Sequence, residues 1–360
     1  MLKQLTNWFG SNSSHGTVIP LHSVERMRAI MERERMRADR GKSCFALLTL
    51  TLSPRMTRDQ LQVLSDILTK RIRVTDDAGM LRTGEIGVVL PETPAAGAWK
   101  LAQAVLADLP KEIDPPMCQV FMHPTISDDD LAEAEQSCIE QTQFAGEPVP
   151  AAQPMATWFV QPSPKWKRAV DIVGASVGLL LASPVMLVTA IAIKATSKGP
   201  IMFTQPRDTI GGRRFNIYKF RTMVVDAEEQ KAALRKHSEQ DGPAFKMKHD
   251  PRITPIGKFL RKSSIDELPQ LFNVLLGDMS LVGPRPLPCD ESAGCQPWQR
   301  RRLEVMPGLT CIWQVYGRSR VSFAEWIRMD LRYARSRSLI KDLLLIVRTV
   351  PAVVFRRGAR

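Results

Sequence analysis

A 25-residue apolar segment, Ala169–Ile193, limits what this chain can fold into more than any other feature of the sequence. It contains a single charged residue, Asp171, and lysine and arginine residues flank it on both sides. About 20 apolar residues in a helix are enough to cross the hydrocarbon core of a bilayer. The segment therefore predicts a helix that inserts into a membrane, with a helix buried in a protein core as the alternative.

Ser183 and Pro184 interrupt this segment near its middle. Proline removes one backbone donor and clashes with the carbonyl four residues earlier, so we expect a kink at this point. Basic residues on both flanks give no asymmetry from which to orient a spanning helix. A re-entrant helix, which enters the membrane, breaks and returns to the same face, satisfies both observations. A kinked spanning helix stays open as an alternative.

Charge is distributed unevenly along the 360 residues. Residues 1–160 carry 16 basic and 20 acidic side chains, a net charge of −4, whereas residues 161–360 carry 34 and 17, a net of +17. The positive charge of residues 161–360 favours an anionic partner, such as a nucleic acid, an anionic lipid surface or a phosphorylated substrate. We predict no nucleic-acid binding, because this region lacks interleaved aromatic and basic residues and contains the apolar segment.

The composition changes along the chain and predicts four parts. Residues 1–21 are polar and predict a flexible tail, and residues 22–140 alternate helix and strand patterns, which is typical of a small α/β domain. Residues 141–164 are rich in proline and predict a linker. Residues 165–360 form the last part, with the membrane helix at 166–195. The fold class predicted for the whole chain is α/β (α+β).

Two adjacent acidic residues, Asp266 and Glu267, lie at the start of a predicted helix over residues 265–276. Apolar side chains recur along it at helical spacing, Ser263 or Ser264 can cap it, and Gly277 ends it. Helix dipoles stabilise acidic side chains at this end, so helix stability alone would explain the pair. Catalysis is the other interpretation, and the neighbouring basic segments favour it.

Five basic residues stand in short strand-end or Gly/Pro-rich segments, where functional groups often lie. Guanidinium groups pair well with phosphate oxygens, although each of these residues alone is more typical of a solvated surface. A carboxylate can attack phosphorus, and a divalent metal can offset phosphate charge. Together these segments predict a site for a polyanion at a lipid surface. The basic residues are Lys219, Arg221, Arg252, Arg285 and Arg318.

Four segments of residues 165–360, in order and spacing, strongly resemble the bacterial sugar transferases, which are monotopic phosphoglycosyl transferases. They are KRAVDIVGASVGLLLASPVML, GPIMFTQPRDTIGGRRFNIYKFRTM, DPRITPIGKFLRKSSIDELPQLFNVLLGDMSLVGPRP and PGLTCIWQVYGR. The ending RTVPAVVFRRGAR resembles the branch that transfers hexose 1-phosphates. The resemblance thus implies a monotopic membrane enzyme with a re-entrant kinked helix.

The resemblance also implies the reaction. A sugar 1-phosphate would pass from a UDP-sugar to undecaprenyl phosphate with release of UMP, which initiates an exopolysaccharide or O-antigen type glycan. Asp266 would be the nucleophile and form a phosphosugar–aspartate intermediate, Glu267 would assist, and Mg²⁺ would bind near Asp266. The sugar stays open, because Cys311, Ile312 and Tyr316 depart from the usual residues of the PGLTCIWQVYGR segment.

Further roles follow from the same resemblance. Lys219, Arg221, Arg285 and Arg318 would contact phosphate, as would Arg252 on weaker grounds. The helix breaker would be Ser183 and Pro184, which favours the re-entrant path. The enzyme would lie on the cytoplasmic face of the inner membrane, in contact with its lipid. The oligomeric state is left open, with a homodimer among the options.

Residues 22–140 faintly resemble a diguanylate-cyclase (GGDEF) domain in FALLTLTLS and RTGEIGVVLPETPAAGAWKLAQAVLADL. Thr83–Gly87 replaces the signature loop, and the strand around Thr49–Thr51 lacks the aspartate expected to hold metal, so we predict a degenerate domain without cyclase activity. It could sense a ligand, mediate dimerisation or be structural. The alternative for the whole chain is a membrane-anchored regulator that responds to a cyclic dinucleotide. The intact Asp266–Glu267 pair disfavours that alternative.

Overall fold

The computed structural model describes residues 21–41, 43–124, 152–317 and 321–354. The chain divides into two compact units, residues 1–155 and 156–360. This division falls inside the predicted linker, 141–164, whose first part lies outside the described residues, as does nearly all of the predicted tail. The predicted domain bounds, 22–140 and 165–360, stay predictions.

Among its described residues, the first unit contains a five-stranded sheet and three helices. Its strands are β1 (Phe45–Thr51), β2 (Asp77–Arg82), β3 (Glu85–Pro91), β4 (Met117–His123) and β5 (Gln153–Pro154), and its helices are α1 (Val24–Gly41), α2 (Arg58–Arg71) and α3 (Ala95–Ala107). The strand order is β2-β3-β1-β4-β5. All pairs are antiparallel except β4 with β5. The alternating helices and strands predicted for this region are confirmed.

The core of the first unit follows from its sequence pattern. The apolar run of β1 is buried because the strand lies in the middle of the sheet. Leu64 of α2 and Ala98 of α3 are fully buried in the same hydrophobic cluster as Leu48 of β1. Thr57 and Gln60 form a capping box that starts α2.

The second unit contains eight helices and four strands among its described residues. The helices are α4 (Lys165–Thr196), α5 (Ala227–Leu234), α6 (Pro255–Ser263), α7 (Gln270–Leu276), α8 (Cys289–Ala293), α9 (Pro297–Arg300), α10 (Phe323–Arg335) and α11 (Leu339–Val354). The strands are β6 (Met202–Asp208), β7 (Arg214–Phe220), β8 (Ser280–Val282) and β9 (Gly308–Thr310). Both units mix helices and strands, so the predicted fold class, α/β (α+β), is confirmed.

The two pairs of strands in the second unit position the segments that carry the site. Strands β6 and β7 form an antiparallel hairpin, and Gly211 and Gly212 turn the chain between them with φ of 67° and 77°. Glycine suits this turn because it adopts positive φ at little cost. Strands β8 and β9 pair in parallel, which brings together the segments that follow them.

Helix α4 is the one helix among the described residues that is long and apolar enough to cross a membrane, by length and composition. One face, which includes Asp171, Ala175 and Ile193, is buried against the second unit. The opposite face is exposed, and Leu180 and Leu181 are each 74% exposed. An apolar surface of this kind is unfavourable in water and requires a lipid or protein cover.

Both ends of α4 are bound to the same unit. At its first turn, Lys167 Nζ pairs with Asp342 at 2.6 Å and donates to the hydroxyl of Tyr333 and the carbonyl of Val282. Just after its last turn, the guanidinium of Arg221 donates to backbone carbonyls of the exiting chain (Ser197 and Lys198). The helix has 32 residues and would extend about 48 Å if straight, since each residue adds about 1.5 Å.

Helix α4 continues through Ser183 and Pro184 as a single element, so these residues do not end it. The hydrogen-bond pattern gives the reason. Pro184 has no N–H to donate to the carbonyl of Leu180, and the hydroxyl of Ser183 donates to that carbonyl instead, at 2.8 Å. At the expected break, the hydroxyl of Ser183 therefore replaces the backbone donor that Pro184 lacks, and the helix continues. The re-entrant path stays a prediction.

The helix predicted over residues 265–276 is divided, which corrects the expected setting of the acidic pair. Ser264 adopts the left-handed conformation with φ of 58° and terminates α6, so it does not cap a following helix. Ile265–Glu267 forms a separate 3-10 turn, and α7 begins only at Gln270. The predicted end at Gly277 is confirmed, with φ of 91°.

Candidate active site

The acidic pair lies in the turn between α6 and α7 and lines an open cavity of about 1750 Å³. Asp266 is 8% exposed. Strand β7 ends beside this turn with Lys219 as its penultimate residue, and the segment after β8 presents Arg285 to the same cavity. The fold thus brings Lys219 and Arg285 to the acidic pair from segments that the sequence places far apart.

Glu267 is paired with two cations. Lys219 Nζ lies 3.0 Å from Glu267 Oε1, and the guanidinium of Arg285 binds both carboxylate oxygens, with Nη1 3.4 Å from Oε2. Burial alone would raise the pKa of Glu267, but the charges of Arg285 and Lys219 outweigh it and hold the pKa well below its usual range. Glu267 is therefore ionised near neutral pH.

Asp266 differs from its neighbour because no hydrogen bond or ion pair engages its carboxylate within the described part of the chain. Burial, and then the charge of Glu267, raise the pKa of Asp266 to about 6. At pH 7 the group is mostly ionised. A carboxylate that is ionised, exposed to a cavity and without a partner is suited to act as a nucleophile.

Two further cations of the cavity wall were not identified from the sequence. Arg261, on α6, donates to the hydroxyl of Thr222 at 2.9 Å, and its charge acts on Asp266. Arg207, on β6, donates to the carbonyl of Pro286 at 3.0 Å, and burial followed by the charge of Arg285 lowers its pKa to about 10. Both arginines line the cavity. Both arginines contact residues that are distant in the sequence, so no sequence pattern indicates that either one lines the cavity.

Arg221 and Arg252 also line the cavity, but their guanidinium groups bind protein atoms. Arg221 holds the chain that leaves α4, as described above. Arg252 pairs with Asp250 through two bonds of 2.9 and 2.7 Å and donates to the carbonyl of Ala227. Arg318 lies outside the described residues. The phosphate-binding roles assigned to these three arginines stay predictions.

The family model described as bacterial sugar transferase matches residues 163–356 of this chain. This match covers more than half of the chain and includes all of the residues that form the cavity. The chain belongs to this family. The resemblance predicted from the four sequence segments is thereby confirmed.

Curated relatives of the bacterial sugar transferase family match the same part of the chain. The galactosyl transferase CpsE of Streptococcus agalactiae is 45% identical over 195 residues, which cover 54% of this chain and 43% of CpsE. The exopolysaccharide production protein ExoY of Rhizobium meliloti is 38% identical over 200 residues, which cover 87% of ExoY. A UDP-glucose:undecaprenyl-phosphate glucose-1-phosphate transferase of Caulobacter vibrioides is 41% identical over 198 residues, or 69% of that protein. The chain thus spans under half the length of CpsE.

Solved structures similar to this chain include diguanylate cyclases. A diguanylate-cyclase protein from Thermotoga maritima is 12% identical and matches 34% of this chain and 94% of its own, with a TM-score of 0.25. The GGDEF domain of DgcB from Caulobacter crescentus is 8% identical and matches 36% and 90%, with a TM-score of 0.27. At TM-scores this low, the degenerate GGDEF-like domain stays a prediction.

Proposed function

We propose that this chain transfers a sugar 1-phosphate from a UDP-sugar to undecaprenyl phosphate at a membrane surface and releases UMP. The observation that supports this best is the contrast within the acidic pair. Among the described residues, no partner binds the carboxylate of Asp266, which lines the cavity, while Glu267 beside it binds two cations, Lys219 and Arg285. A nucleophile next to cations is the arrangement that attack on a phosphate diester requires.

In the first step, a carboxylate oxygen of Asp266 attacks the phosphorus that bears the sugar. The new bond joins this oxygen to phosphorus, and the bond from phosphorus to the bridging oxygen breaks. The electron pair leaves with the UMP phosphate, so no proton needs to move. Lys219 and Arg285 donate to the phosphate oxygens and stabilise the negative charge of the transition state.

In the second step, an oxygen of undecaprenyl phosphate attacks the same phosphorus. The bond to Asp266 breaks, and the electron pair returns to the carboxylate. The products are a sugar diphosphate lipid and the free enzyme in its original ionisation state. Glu267 keeps Lys219 and Arg285 in place through both steps, because its carboxylate binds each of them.

The residues present fit a role for Mg²⁺. Within the described residues, no group of three or more histidine, cysteine or acidic side chains could hold a metal by itself. Mg²⁺ commonly binds one or two carboxylates together with substrate phosphates, and the unpartnered carboxylate of Asp266 is such a ligand. When bound, Mg²⁺ would neutralise part of the diphosphate charge.

The surface of α4 supports the membrane location. Its exposed apolar face is suited to contact lipid, and both of its ends are bound to the unit that contains the cavity. Basic residues, among them Lys165 and Lys194, flank the apolar segment on each side. Because lysine and arginine favour the cytoplasmic side, we place both flanks at the cytoplasmic face of the inner membrane.

The names of the relatives suggest the process that the reaction serves. ExoY is named for exopolysaccharide production, and the Caulobacter relative for transfer of glucose 1-phosphate to undecaprenyl phosphate. We therefore propose that this chain initiates an exopolysaccharide or O-antigen type glycan. An anchored regulator without transferase activity would have no use for a free Asp266 beside a cation-bound Glu267.

The test is a UMP-release assay on the full chain in nanodiscs with a panel of UDP-sugars. We expect continued turnover that needs both undecaprenyl phosphate and Mg²⁺, with one preferred sugar, and at most one UMP per enzyme when the lipid is left out. A phosphosugar adduct on Asp266, trapped without the lipid and located by mass spectrometry, would support the covalent intermediate. Folded protein that releases no UMP from any UDP-sugar would contradict the proposal.

A further inference from the structure

The cavity has an aromatic wall that the mechanism above does not use. The indoles of Trp313 and Trp326 stack with ring centroids 4.4 Å apart and planes inclined by 15°. Both residues line the cavity that contains Asp266. Trp326 is buried, whereas Trp313 is only partly buried, so Trp313 is the more accessible of the two rings.

Trp326 is held rigidly from behind. Phe323 contacts it edge-on, with centroids 5.5 Å apart and planes at 79°, and the guanidinium of Arg302 lies 5.5 Å from its ring centroid. Arg302 is fixed in turn by a buried ion pair with Asp330, at 2.7 Å. A preorganised aromatic surface loses little conformational entropy when a ligand stacks on it.

The aromatic wall is connected to the cations of the acidic pair. Arg302 donates to the backbone carbonyl of Arg285, whose side chain binds Glu267. The parallel pairing of β8 with β9 also brings the segment before Trp313 beside the segment before Arg285. Arg302 therefore links the cations to the indoles, through a hydrogen bond on one side and a ring contact on the other.

Trp313 is nevertheless separate from the reacting group. No hydrogen bond, ion pair or ring contact joins it to Asp266 or Glu267 in the part of the chain that the structure describes. In a UDP-sugar, the sugar is bonded through one oxygen to the phosphorus that is attacked. The uracil ring is separated from that phosphorus by a second phosphate and the ribose. The more remote ring is the one suited to reach Trp313.

We propose that Trp313 is the platform on which the uracil base of the donor stacks. This inference rests on the proposed function and assigns the nucleotide end of the same site. A planar base would extend the parallel indole pair to three layers, which matches the flat geometry of the stack. Stacking on an aromatic side chain strengthens nucleotide binding by about tenfold to a hundredfold.

The experiment measures UMP binding to the full chain in nanodiscs by titration calorimetry. Trp313→Leu retains apolar volume but removes the aromatic face, and Trp313→Phe retains a smaller face. The matched control is Trp298→Leu, because Trp298 packs on the same hydrophobic cluster and is not among the residues that line the cavity. Thermal unfolding confirms that each variant is folded.

We expect Trp313→Leu to weaken UMP binding about tenfold or more and to raise the donor KM to match, with kcat nearly unchanged. Trp313→Phe should lose less, and Trp298→Leu should bind UMP as the parent does. Unchanged UMP binding in folded Trp313→Leu would overturn the inference. A raised donor KM with unchanged UMP binding would assign the indole to the sugar and also overturn it.

Failure of the proposed function gives a different result. A parent protein that neither binds UMP nor releases it from any UDP-sugar would contradict the transfer reaction itself. If the parent protein releases UMP normally and Trp313→Leu binds UMP as well as the parent does, only the stacking role is contradicted. Should Trp313→Leu not fold, Trp313→Phe decides, since a ring without any stacking role would leave UMP binding unchanged.

Discussion

Asp266 and Glu267 are adjacent in one turn, yet their carboxyl groups have opposite electrostatic settings. Glu267 takes both nearby cations, Lys219 and Arg285, as hydrogen-bonded partners, and its pKa is low. Asp266 is buried beside that negative charge, and its pKa rises to about 6. One carboxylate thus organises the cations, and the other remains free to react.

The raised pKa of Asp266 predicts an acid limb in the rate. Below about pH 6 the nucleophile of the free enzyme is protonated and inactive, and above it the carboxylate is ionised, so kcat/KM for the UDP-sugar should fall as pH decreases through about 6. Glu267→Gln removes a charge that raises this pKa and frees Lys219 and Arg285, which lower it. The pH at which the residual activity of Glu267→Gln falls should therefore be lower than in the parent protein. A rate that is constant between pH 5 and 7 would contradict the assignment.

Substitution of the nucleophile tests the same residue directly. Asp266→Asn retains the shape of the side chain, but its amide cannot attack phosphorus, so UMP release should fall by at least about a thousandfold. Asp226→Asn is the control, because Asp226 is exposed and is not among the residues that line the cavity. Turnover by Asp266→Asn close to that of the control would exclude Asp266 as nucleophile.

The sequence predicted part of this site, and the reason for the limit is physical. Lys219 and Arg285 were predicted to contact phosphate; the structure places both beside Glu267, and their contact with phosphate stays a prediction. Arg252 was predicted too, but its guanidinium pairs with Asp250, two residues away. Arg207 and Arg261 were missed. The difference between a cation that faces a ligand and one that binds the protein lies in contacts between distant segments, which composition and spacing do not contain.

At the scale of single elements, α4 was predicted well because 25 apolar residues in succession admit few structures. The predicted helix over residues 265–276 was wrong in its first turn, since Ser264 adopts a left-handed conformation that nothing in its side chain demands. That conformation sets the acidic pair in a tight turn instead of a helix end. Local pattern thus predicts where helices lie better than how they end.

The first turn of α4 depends on a buried ion pair. Lys167 and Asp342 are each only 2% exposed, so removal of one partner leaves an uncompensated charge. Lys167→Met should therefore lower the free energy of unfolding by about 3–5 kcal/mol, and the double variant Lys167→Met/Asp342→Leu should recover part of it. Thermal unfolding with Lys165→Met as the control measures this. Equal loss in the control would contradict a specific role for the pair.

The middle of α4 depends on Pro184. Pro184→Ala restores the missing N–H, so we expect the helix to straighten toward a membrane-spanning path. Cysteines introduced at positions 165 and 198 of Pro184→Ala should then be labelled from opposite faces of the membrane. The same two cysteines in the protein with Pro184 should be labelled from one face. Val185→Ala is the control. Labelling of both positions from the cytoplasmic side in Pro184→Ala would show that this proline does not decide the path.

At the scale of the whole molecule, the chain combines two units of different charge. The family match and all of the cavity residues lie in the second unit, which carries the large positive charge. The division at residues 155 and 156 falls in the proline-rich region, where the composition changes sharply, whereas no sequence pattern indicates what the first unit binds.

Removal of the first unit tests its role. Residues 156–360 should release UMP at a rate within severalfold of the full chain, because the catalytic residues and the bonds that position them are contained there. The measurement is the nanodisc assay on both proteins, with circular dichroism to verify the fold. Complete loss of activity in a folded truncation would make the first unit part of the catalytic assembly.

The bonds at the two ends of α4 also have a consequence for how the chain is made. Arg221 leaves the ribosome soon after α4, but Asp342 follows its partner Lys167 by 175 residues. During translation the helix can therefore be bound at its C-terminal end long before its first turn has a partner. The apolar face has to find lipid in that interval. On the predicted re-entrant path both ends finish on one folded unit, so insertion would transfer no folded part across the bilayer, and the bond to Asp342 would complete the process.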